Sequence, residues 1–218
     1  MVRGIDAVIL DFDGTIVDTE WSEYVTVRNE YRRHGHDYPL ERFQARVGRT
    51  DGRHWSEELI EVTGPRPDLE EIVARRRQAH HDLIDATELR PGVRDLIGRA
   101  ERRGKGLAVA SSSPMVWVER HLGRRGLLAR FPVIATGDQV ERGKPWPDVF
   151  VTAAERLAVD PGRCLVIEDS HNGVTAAKAA GMVCVAVPNP VTEGTDLSAA
   201  DLLVGSLAEL PWAEFGLG

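Results

Sequence analysis

Six short runs of apolar residues recur along the chain, and they predict the strands of a sheet. They cover residues 7–10, 107–110, 133–135, 164–167, 183–187 and 202–204. Each run is too short for a helix, and none shows the alternation of apolar and polar residues that marks a half-exposed strand. Continuous apolar runs of this kind are typical of strands covered on both faces, as in a parallel sheet.

Segments with helical periodicity lie between these runs. Residues 93–103 close on Gly104, residues 116–123 follow Pro114, and residues 174–180 end at Gly181. Glycine just beyond the last turn and proline near the start are the usual limits of a helix. The alternation of strands and helices predicts an α/β fold with a doubly wound, Rossmann-like parallel sheet.

Residues 15–86 interrupt this alternation. They contain four stretches of helical character, at 21–35, 39–47, 53–62 and 68–84, and no run that resembles a strand. A length of 218 residues suits a core with a lesser inserted domain. The sequence therefore predicts a core formed by residues 1–14 and 87–218 and a small α-helical domain at 15–86.

The overall charge limits the choice of partner. The chain has 27 basic and 34 acidic residues, a formal net charge of -7, which disfavours nucleic acid and anionic membranes as partners. The N-terminus has no signal-peptide pattern, and no apolar stretch approaches the ~20 residues that a membrane helix needs. Cys164 and Cys184 lie in apolar runs and are predicted to be buried thiols. We expect a cytoplasmic monomer that acts on a small metabolite.

Polar residues that could carry chemistry follow four of the predicted strands. Asp11 and Asp13 follow the first, residues 111–113 (all Ser) the second, Lys144 lies in the loop after the third, and residues 168–169 (Glu-Asp) follow the fourth. In an open parallel sheet, ligands bind beyond the carboxyl ends of the strands. These side chains should therefore meet at one edge of the sheet.

Four carboxylates at one edge repel each other and need a counter-charge. Ligation by a few oxygen atoms suits Mg²⁺, which often shares its coordination shell with a phosphate. With the ion bound, one of Asp11 and Asp13 can act as a nucleophile while the other transfers protons. Lys144 and the Ser111 hydroxyl would then hold the oxygens of the transferring phosphoryl group.

Each of these motifs also has an ordinary structural interpretation. Asp-X-Asp-Gly occurs in turns, a serine run before proline can cap a helix, Lys144 could be an exposed loop lysine, and residues 168–169 could cap the following helix. The four motifs together favour the functional interpretation.

The motifs, in their order, resemble those of the haloacid dehalogenase superfamily. They read Asp-Phe-Asp-Gly-Thr at 11–15, Ser111, Lys-Pro at 144–145 and Glu-Asp-Ser at 168–170, and the resemblance covers essentially the whole chain. A helical insertion directly after the first motif, together with the Glu-Asp-Ser motif, is similar to the β-phosphoglucomutase-like branch.

This resemblance implies specific roles. Asp11 would form an aspartyl-phosphate, and Asp13 would protonate the leaving alkoxide and later deprotonate water. Asp11, the main-chain carbonyl of Asp13 and Asp169 would bind Mg²⁺, with Glu168 as a direct or water-mediated ligand. Ser111, Ser112 and Lys144 would bind the phosphate, and the insertion would close over the site as a cap.

Hydrolysis of a small sugar or polyol phosphate is the leading functional prediction, and phosphomutase activity is the alternative. Mutases of this branch carry a Lys-Gly pair and a nearby Arg in a cap loop, whereas this loop has Val47 and Asp51, with Arg49 between them. Dehalogenation is disfavoured by Asp13, and a binding protein without catalysis by the presence of both aspartates. Candidates for the leaving-group contact are Arg28, Arg49, His54 and Trp55, of which Arg49 and His54 are preferred.

The remaining charged and aromatic residues are interpreted as structural. The basic run 75–77 is predicted to be a solvated helix face. The histidines are assigned to the surface or to packing, and Trp117 is assigned to packing. Trp21 and Tyr24 could face the site from the cap.

Overall fold

The structure is a computed structural model that describes residues 4–47 and 54–218. Its strands are β1 Ala7–Leu10, β2 Gly106–Ser111, β3 Val133–Thr136, β4 Cys164–Glu168, β5 Val183–Ala186 and β6 Leu202–Leu203. They form one sheet in the order β3-β2-β1-β4-β5-β6, with every neighbouring pair parallel. All six predicted runs are strands, so the predicted fold class is confirmed.

Eight α-helices lie within the described ranges. They are α1 Thr19–Arg33, α2 Leu40–Gln44, α3 Trp55–Thr63, α4 Leu69–Asp85, α5 Val93–Arg102, α6 Met115–Arg124, α7 Asp148–Leu157 and α8 His171–Ala179. The sequence analysis did not predict α7. Helix α8 begins before its predicted start because Ser170 caps it, accepting a hydrogen bond on Oγ from the Gly173 N–H at 3.1 Å.

The two faces of the sheet pack against different helices. Ala7 and Ile9 of β1 point to one face, and Val8 and Leu10 point to the other, as the two-residue period of a strand requires. The first face packs on α7 and α8, where Phe150 is fully buried. The second packs on α5 and α6. Apolar cover on both faces explains why the strands read as unbroken apolar runs.

The helices α1 to α4 form a separate hydrophobic cluster that we call the cap. Tyr31, Trp55, Leu59 and Ile72 are buried in it, and Val191 of the core packs against it. Residues 16–17 (Ile-Val) lie instead in the cluster of the sheet, and the second of them bridges to Leu89. The division at residues 14/15 and 86/87 stays a prediction.

Two further predictions concern burial and membrane association. Cys164 and Cys184 are both free thiols and buried, as predicted. No described helix has both the length and the apolar character that a bilayer crossing requires.

Candidate active site

The sheet changes winding direction beside β1, and the candidate site lies there. From β1 the chain proceeds outward through β2 and β3, then crosses to β4 on the other side of β1. Such a reversal opens a crevice at the carboxyl ends of the strands. Asp11 follows β1, while Ser111 ends β2 and Glu168 ends β4. A cavity of about 980 Å³ opens between this edge and the cap.

A buried group of three carboxylates lies at the base of the cavity. Asp11, Glu168 and Asp169 each offer an oxygen, and these oxygens lie within 4.8 Å of one another. The Lys144 ammonium donates hydrogen bonds to Asp11 Oδ1 and, at 2.7 Å, to Glu168 Oε1. Lys144 contacts two of the three carboxyl groups, and the Arg90 guanidinium acts electrostatically on Asp169, so ionisation of all three still leaves negative charge uncompensated.

Burial has a large effect on the ionisation of this group. Loss of hydration raises the pKa of Asp11 to about 8, against the opposing effect of the Lys144 ammonium. Burial also raises the pKa of Asp169, and the negative charges of Glu168 and Asp11 add to that effect. A further cation would lower both pKa values and keep the carboxylates ionised.

The donor set fits Mg²⁺. All three side chains offer oxygen ligands, and the carboxylates supply the negative charge that a small divalent cation requires. The side chains of the predicted metal ligands Asp11, Glu168 and Asp169 are therefore brought together among the described residues. The Asp13 side chain lies outside this group, and its predicted ligand is the main-chain carbonyl.

Glu168 is held by several donors at once. Its Oε2 accepts hydrogen bonds from the main-chain N–H of Asp169 and of Ser170, both at 2.7 Å, and from Ser170 Oγ at 3.0 Å. A Cβ on Gly173 would lie 1.6 Å from Glu168 Oε1, so only glycine lets the first turn of α8 approach this carboxylate. These hydrogen bonds occupy most lone pairs of the Glu168 carboxylate. Glu168 therefore has fewer lone pairs available for a metal ion than Asp169 has.

Asp169 receives one donor on each oxygen. Thr15 Oγ1 donates to Oδ1 at 3.1 Å, and Asn189 Nδ2 donates to Oδ2 at 2.6 Å. Gly14 has a φ of +82°, and a Cβ there would lie 2.4 Å from Asp169 Oδ2. The turn after β1 must therefore contain glycine for the two aspartate-bearing loops to meet.

Asp13 has a different environment from Asp11. Its Oδ1 accepts hydrogen bonds from Thr19 Oγ1 at 2.8 Å and from Trp117 Nε1 at 2.9 Å. Its Oδ2 accepts from Ser113 Oγ at 2.6 Å and from Ser111 Oγ at 3.3 Å. Burial raises the pKa of Asp13, while the bonds from Ser113, Trp117 and Thr19 oppose the rise. Neutral donors surround this carboxyl group, as suits a residue that gains and loses a proton.

The predicted phosphate-binding residues lie around these two aspartates. Ser111 is fully buried, and its Oγ accepts from the Ser113 N–H at 3.0 Å. Ser112 lines the cavity. Lys144 is buried behind Asp11 and Glu168. Its contacts exclude the interpretation as an exposed loop lysine.

The cap contributes a charged wall to the cavity. Glu23, Arg46, His54, Arg76 and His80 all line it. Arg76 lies 3.0 Å from a Glu23 carboxylate oxygen, and only 8% of its surface is exposed. The predicted solvated face at residues 75–77 is therefore wrong for Arg76, whose buried Nε has no hydrogen-bond partner in the described structure.

The other cap candidates lie in different places. His54 lines the cavity, as expected of a leaving-group contact, whereas Arg28 pairs with Asp37 at the surface. Trp55 is buried in the cap cluster. Trp21 and Tyr24 do not line the cavity either. Arg49 and Asp51 lie outside the described residues.

Sequence reasoning missed several residues of the site. Thr19 and Trp117 contact the Asp13 carboxylate, Asn189 contacts the Asp169 carboxylate, and Glu23 and Arg76 line the cavity. Thr19 follows Asp13 closely, so its proximity was a usable signal. Trp117 reaches the site through tertiary structure, and no local pattern marks it. Asn189 comes shortly after β5, a position that the rule used for the other strands would have marked.

Comparison with known proteins identifies the family of the chain. The model of the haloacid dehalogenase-like hydrolase family matches residues 5–181. YhcW of Bacillus subtilis (strain 168), a protein named as a phosphatase, is 40% identical over 209 residues, covering 96% of this chain and 95% of that protein. The phosphorylated carbohydrates phosphatase of Thermotoga maritima is 32% identical over 182 residues, covering 82% of each chain.

Solved structures share the whole architecture. The crystal structure of a CbbY variant from Rhodobacter sphaeroides in complex with xylulose-(1,5)bisphosphate superposes with a TM-score of 0.79. The two chains are 31% identical, and the match covers 95% of this chain and 96% of that one. The similarity therefore includes both the sheet and the cap.

Proposed function

The chain belongs to the haloacid dehalogenase-like hydrolase family, and on that premise we propose that it is a Mg²⁺-dependent phosphatase. The substrate would be the phosphomonoester of a small sugar or polyol, and the reaction would pass through an aspartyl-phosphate on Asp11. We further propose that the enzyme acts as a cytoplasmic monomer.

One observation carries the proposal: the two aspartates of a single turn lie in different environments. Asp11 lies with Glu168, Asp169 and Lys144, in a group whose oxygens suit a cation. Asp13 lies among neutral hydroxyl and indole donors, outside that group. A nucleophile needs compensation of its charge next to a phosphate, whereas an acid and base needs freedom to exchange its proton.

The chain's own residues account for the first half-reaction. The Asp11 carboxylate attacks phosphorus, and the bond from phosphorus to the leaving oxygen breaks. Asp13 donates its proton to that oxygen, so the product leaves as a neutral alcohol. Lys144, Ser111 and Ser112 bind the phosphoryl oxygens as charge shifts onto them.

The second half-reaction reuses the same residues. Asp13, now ionised, accepts a proton from water as the water oxygen attacks phosphorus. The bond from phosphorus to Asp11 breaks, which releases inorganic phosphate and restores both carboxyl groups. Mg²⁺, when bound by Asp11, Asp169 and the Asp13 carbonyl, with Glu168 direct or through water, would neutralise phosphate charge throughout.

The cap wall supports a polar leaving group. The cap side of the cavity carries the cationic Arg76, the anionic Glu23 and two histidines, His54 and His80. These side chains can donate or accept hydrogen bonds. Such a lining suits the hydroxyl groups of a sugar or polyol, with His54 and Arg49 as proposed contacts. Similarity to a carbohydrate phosphatase and to a protein that binds a sugar bisphosphate supports the same substrate class.

The test is phosphate release from a panel of sugar, polyol and nucleotide monophosphates with Mg²⁺. A parallel assay for conversion of glucose 1-phosphate to glucose 6-phosphate examines the mutase alternative. Free phosphate from a subset of the panel supports the proposal, whereas isomerised sugar phosphate with little release supports the mutase.

Asp11→Asn should abolish turnover, and substantial activity in a folded variant would exclude Asp11 as nucleophile. Asp95→Asn, which changes an exposed carboxylate on α5, is the matched control.

A further inference from the structure

The Trp117 side chain contacts the turn after β1, the cap and a second residue of its own helix α6. It lies on α6, and its indole Nε1 donates to Asp13 Oδ1 at 2.9 Å. His80 of the cap helix α4 stacks on the ring at 5.5 Å between centroids. His121, one turn later on α6, contacts the ring edge-on at 4.2 Å. The indole is therefore held by both the core and the cap, with its N–H directed at the carboxyl group of Asp13.

The donors to Asp13 fall into two chemically different sets. Among the residues that the structure describes, Oδ2 receives the hydroxyls of Ser111 and Ser113, while Oδ1 receives the Thr19 hydroxyl and the indole N–H. A hydroxyl can rotate and accept a hydrogen bond, but an indole N–H can only donate. A proton on Oδ1 would compete with the indole N–H, which cannot accept it, whereas a proton on Oδ2 faces serine oxygens that can accept it.

We propose that Trp117 is the positioning residue for proton transfer by Asp13. Because the indole N–H always donates to Oδ1, that oxygen stays unprotonated, and the proton is carried and delivered by Oδ2. The same bond fixes the rotation of the carboxyl group, which directs Oδ2 toward the leaving oxygen of the substrate. This inference rests on the proposed function, in which Asp13 is the general acid.

The test compares two kinds of phosphate ester in Trp117→Phe. An aliphatic alkoxide needs a proton as it leaves, whereas p-nitrophenolate is stable as an anion and needs none. kcat/KM reports the steps up to formation of the aspartyl-phosphate, so it isolates the acid role of Asp13 from its later role as base. Misplacing one catalytic group should lower kcat/KM for the best sugar or polyol phosphate by about 10- to 100-fold, and for p-nitrophenyl phosphate by less than about 3-fold.

A packing control separates positioning from general damage. His121→Leu removes the ring beneath Trp117 and keeps the indole N–H, and the buried ring nitrogens of His121 have no hydrogen-bond partner in the described structure. This variant should leave the ratio of the two kcat/KM values within about 2-fold of wild type. Equal losses on both esters in Trp117→Phe, or no loss on either, would overturn the proposal.

A second measurement covers the case in which Trp117→Phe does not fold. In wild type, the indole N–H proton of Trp117, assigned by triple-resonance NMR, should shift when Asp13→Ala removes its acceptor. An unchanged resonance would show that the bond to Asp13 is absent in solution and would overturn the proposal. If wild type releases no phosphate from any ester, the proposed function fails first. If it does, and the ester ratio of the Phe variant is unchanged, only the assignment of Trp117 fails.

Discussion

Replacing Lys144 with methionine should destabilise the protein strongly in the absence of metal. The Lys144 side chain is 1% exposed and is bonded to both Asp11 and Glu168. Methionine keeps an unbranched apolar side chain but removes the ammonium group, which is the counter-charge of two buried carboxyl groups and lies over the Phe150 ring. Breaking a buried ion pair by removal of one partner costs about 3 to 5 kcal/mol. For a chain of this size that corresponds to a loss of about 6 to 20 °C in Tm.

The dependence of this loss on pH follows from Asp11. Burial raises the pKa of Asp11 to about 8 in the folded protein, far above its ordinary value of 3.8 in the unfolded chain. An acid with a raised pKa destabilises the fold progressively as pH rises from the unfolded to the folded pKa. Without Lys144 the folded pKa rises further, so the loss continues above pH 8. The difference in stability between wild type and Lys144→Met should therefore widen between pH 8 and pH 9.

The assay is thermal unfolding in EDTA at pH 6, 8 and 9, followed by circular dichroism. Lys178→Met is the matched control, because Lys178 also pairs with an aspartate, Asp201, but its side chain is 34% exposed. Exposed pairs contribute at most about 1 kcal/mol, so the control should lose little stability at any pH. A Tm of Lys144→Met within about 2 °C of wild type at pH 9 would refute the assignment of Lys144 as the counter-charge.

Three further predictions concern the metal, the cap and the buried histidines. Mg²⁺ at 100 times its Kd should raise the stability of wild type by about 2.7 kcal/mol, and Asp169→Asn should lose most of that gain; an equal gain in both would place the ion elsewhere. Arg76→Met should raise KM about tenfold with a smaller change in kcat, because Arg76 lines the cavity, while Arg75→Met should leave both unchanged, because Arg75 pairs with Glu30 and does not line the cavity. Burial lowers the pKa of His121 to about 4, so protonation of the unfolded chain should destabilise wild type by up to about 3 kcal/mol as pH falls from 6.5 to 4. Urea unfolding of His121→Leu should show a weaker decline over that range, with the remainder due to His80, whose pKa burial also lowers to about 4.

The core of the site could be predicted because its residues lie at the ends of strands. A buried strand of a parallel sheet is an unbroken apolar run, so its carboxyl end is visible in the sequence. Asp11, Ser111 and Glu168 each stand at such an end, and the sheet brings them together without further information. Their meeting depends only on the strands being parallel and neighbouring.

The inward position of Arg76 in the cap could also have been predicted from the sequence, by applying the helical period to α4. The buried positions of α4 are Ile72, Arg76, His80 and Ile84, four residues apart. Successive residues of a helix point about 100° apart, so a run of three arginines cannot share one solvated face. Arg76 lies in the apolar stripe, and the helical period identifies it as the inward residue. The prediction of a solvated face was wrong for Arg76 because it considered the composition of the basic run and not the helical period.

Contacts made through tertiary structure could not be predicted in the same way. Trp117 lies 104 positions from Asp13, and Asn189 lies 20 positions from Asp169, with α8 and β5 between them. Asn189 comes shortly after β5, but the apolar run alone does not show that its amide reaches Asp169. Only the packing of α6 against the turn after β1 shows that Trp117 directs its N–H at the Asp13 carboxyl group.

The position of the cap in the sequence has a mechanistic consequence. Thr19 is the first residue of α1 and donates to Asp13, so the cap begins on a residue bonded to the proposed acid. His80 of α4 returns to the same place, stacking on Trp117 and lying 3.4 Å from the Thr19 carbonyl oxygen. Movement of the cap relative to the core would act on the bond from Thr19 to Asp13 and on the stacking of His80 on Trp117. Closure over a leaving group and orientation of Asp13 are therefore expected to be coupled, because one end of the cap contacts Asp13 and the other contacts Trp117, which itself donates to Asp13.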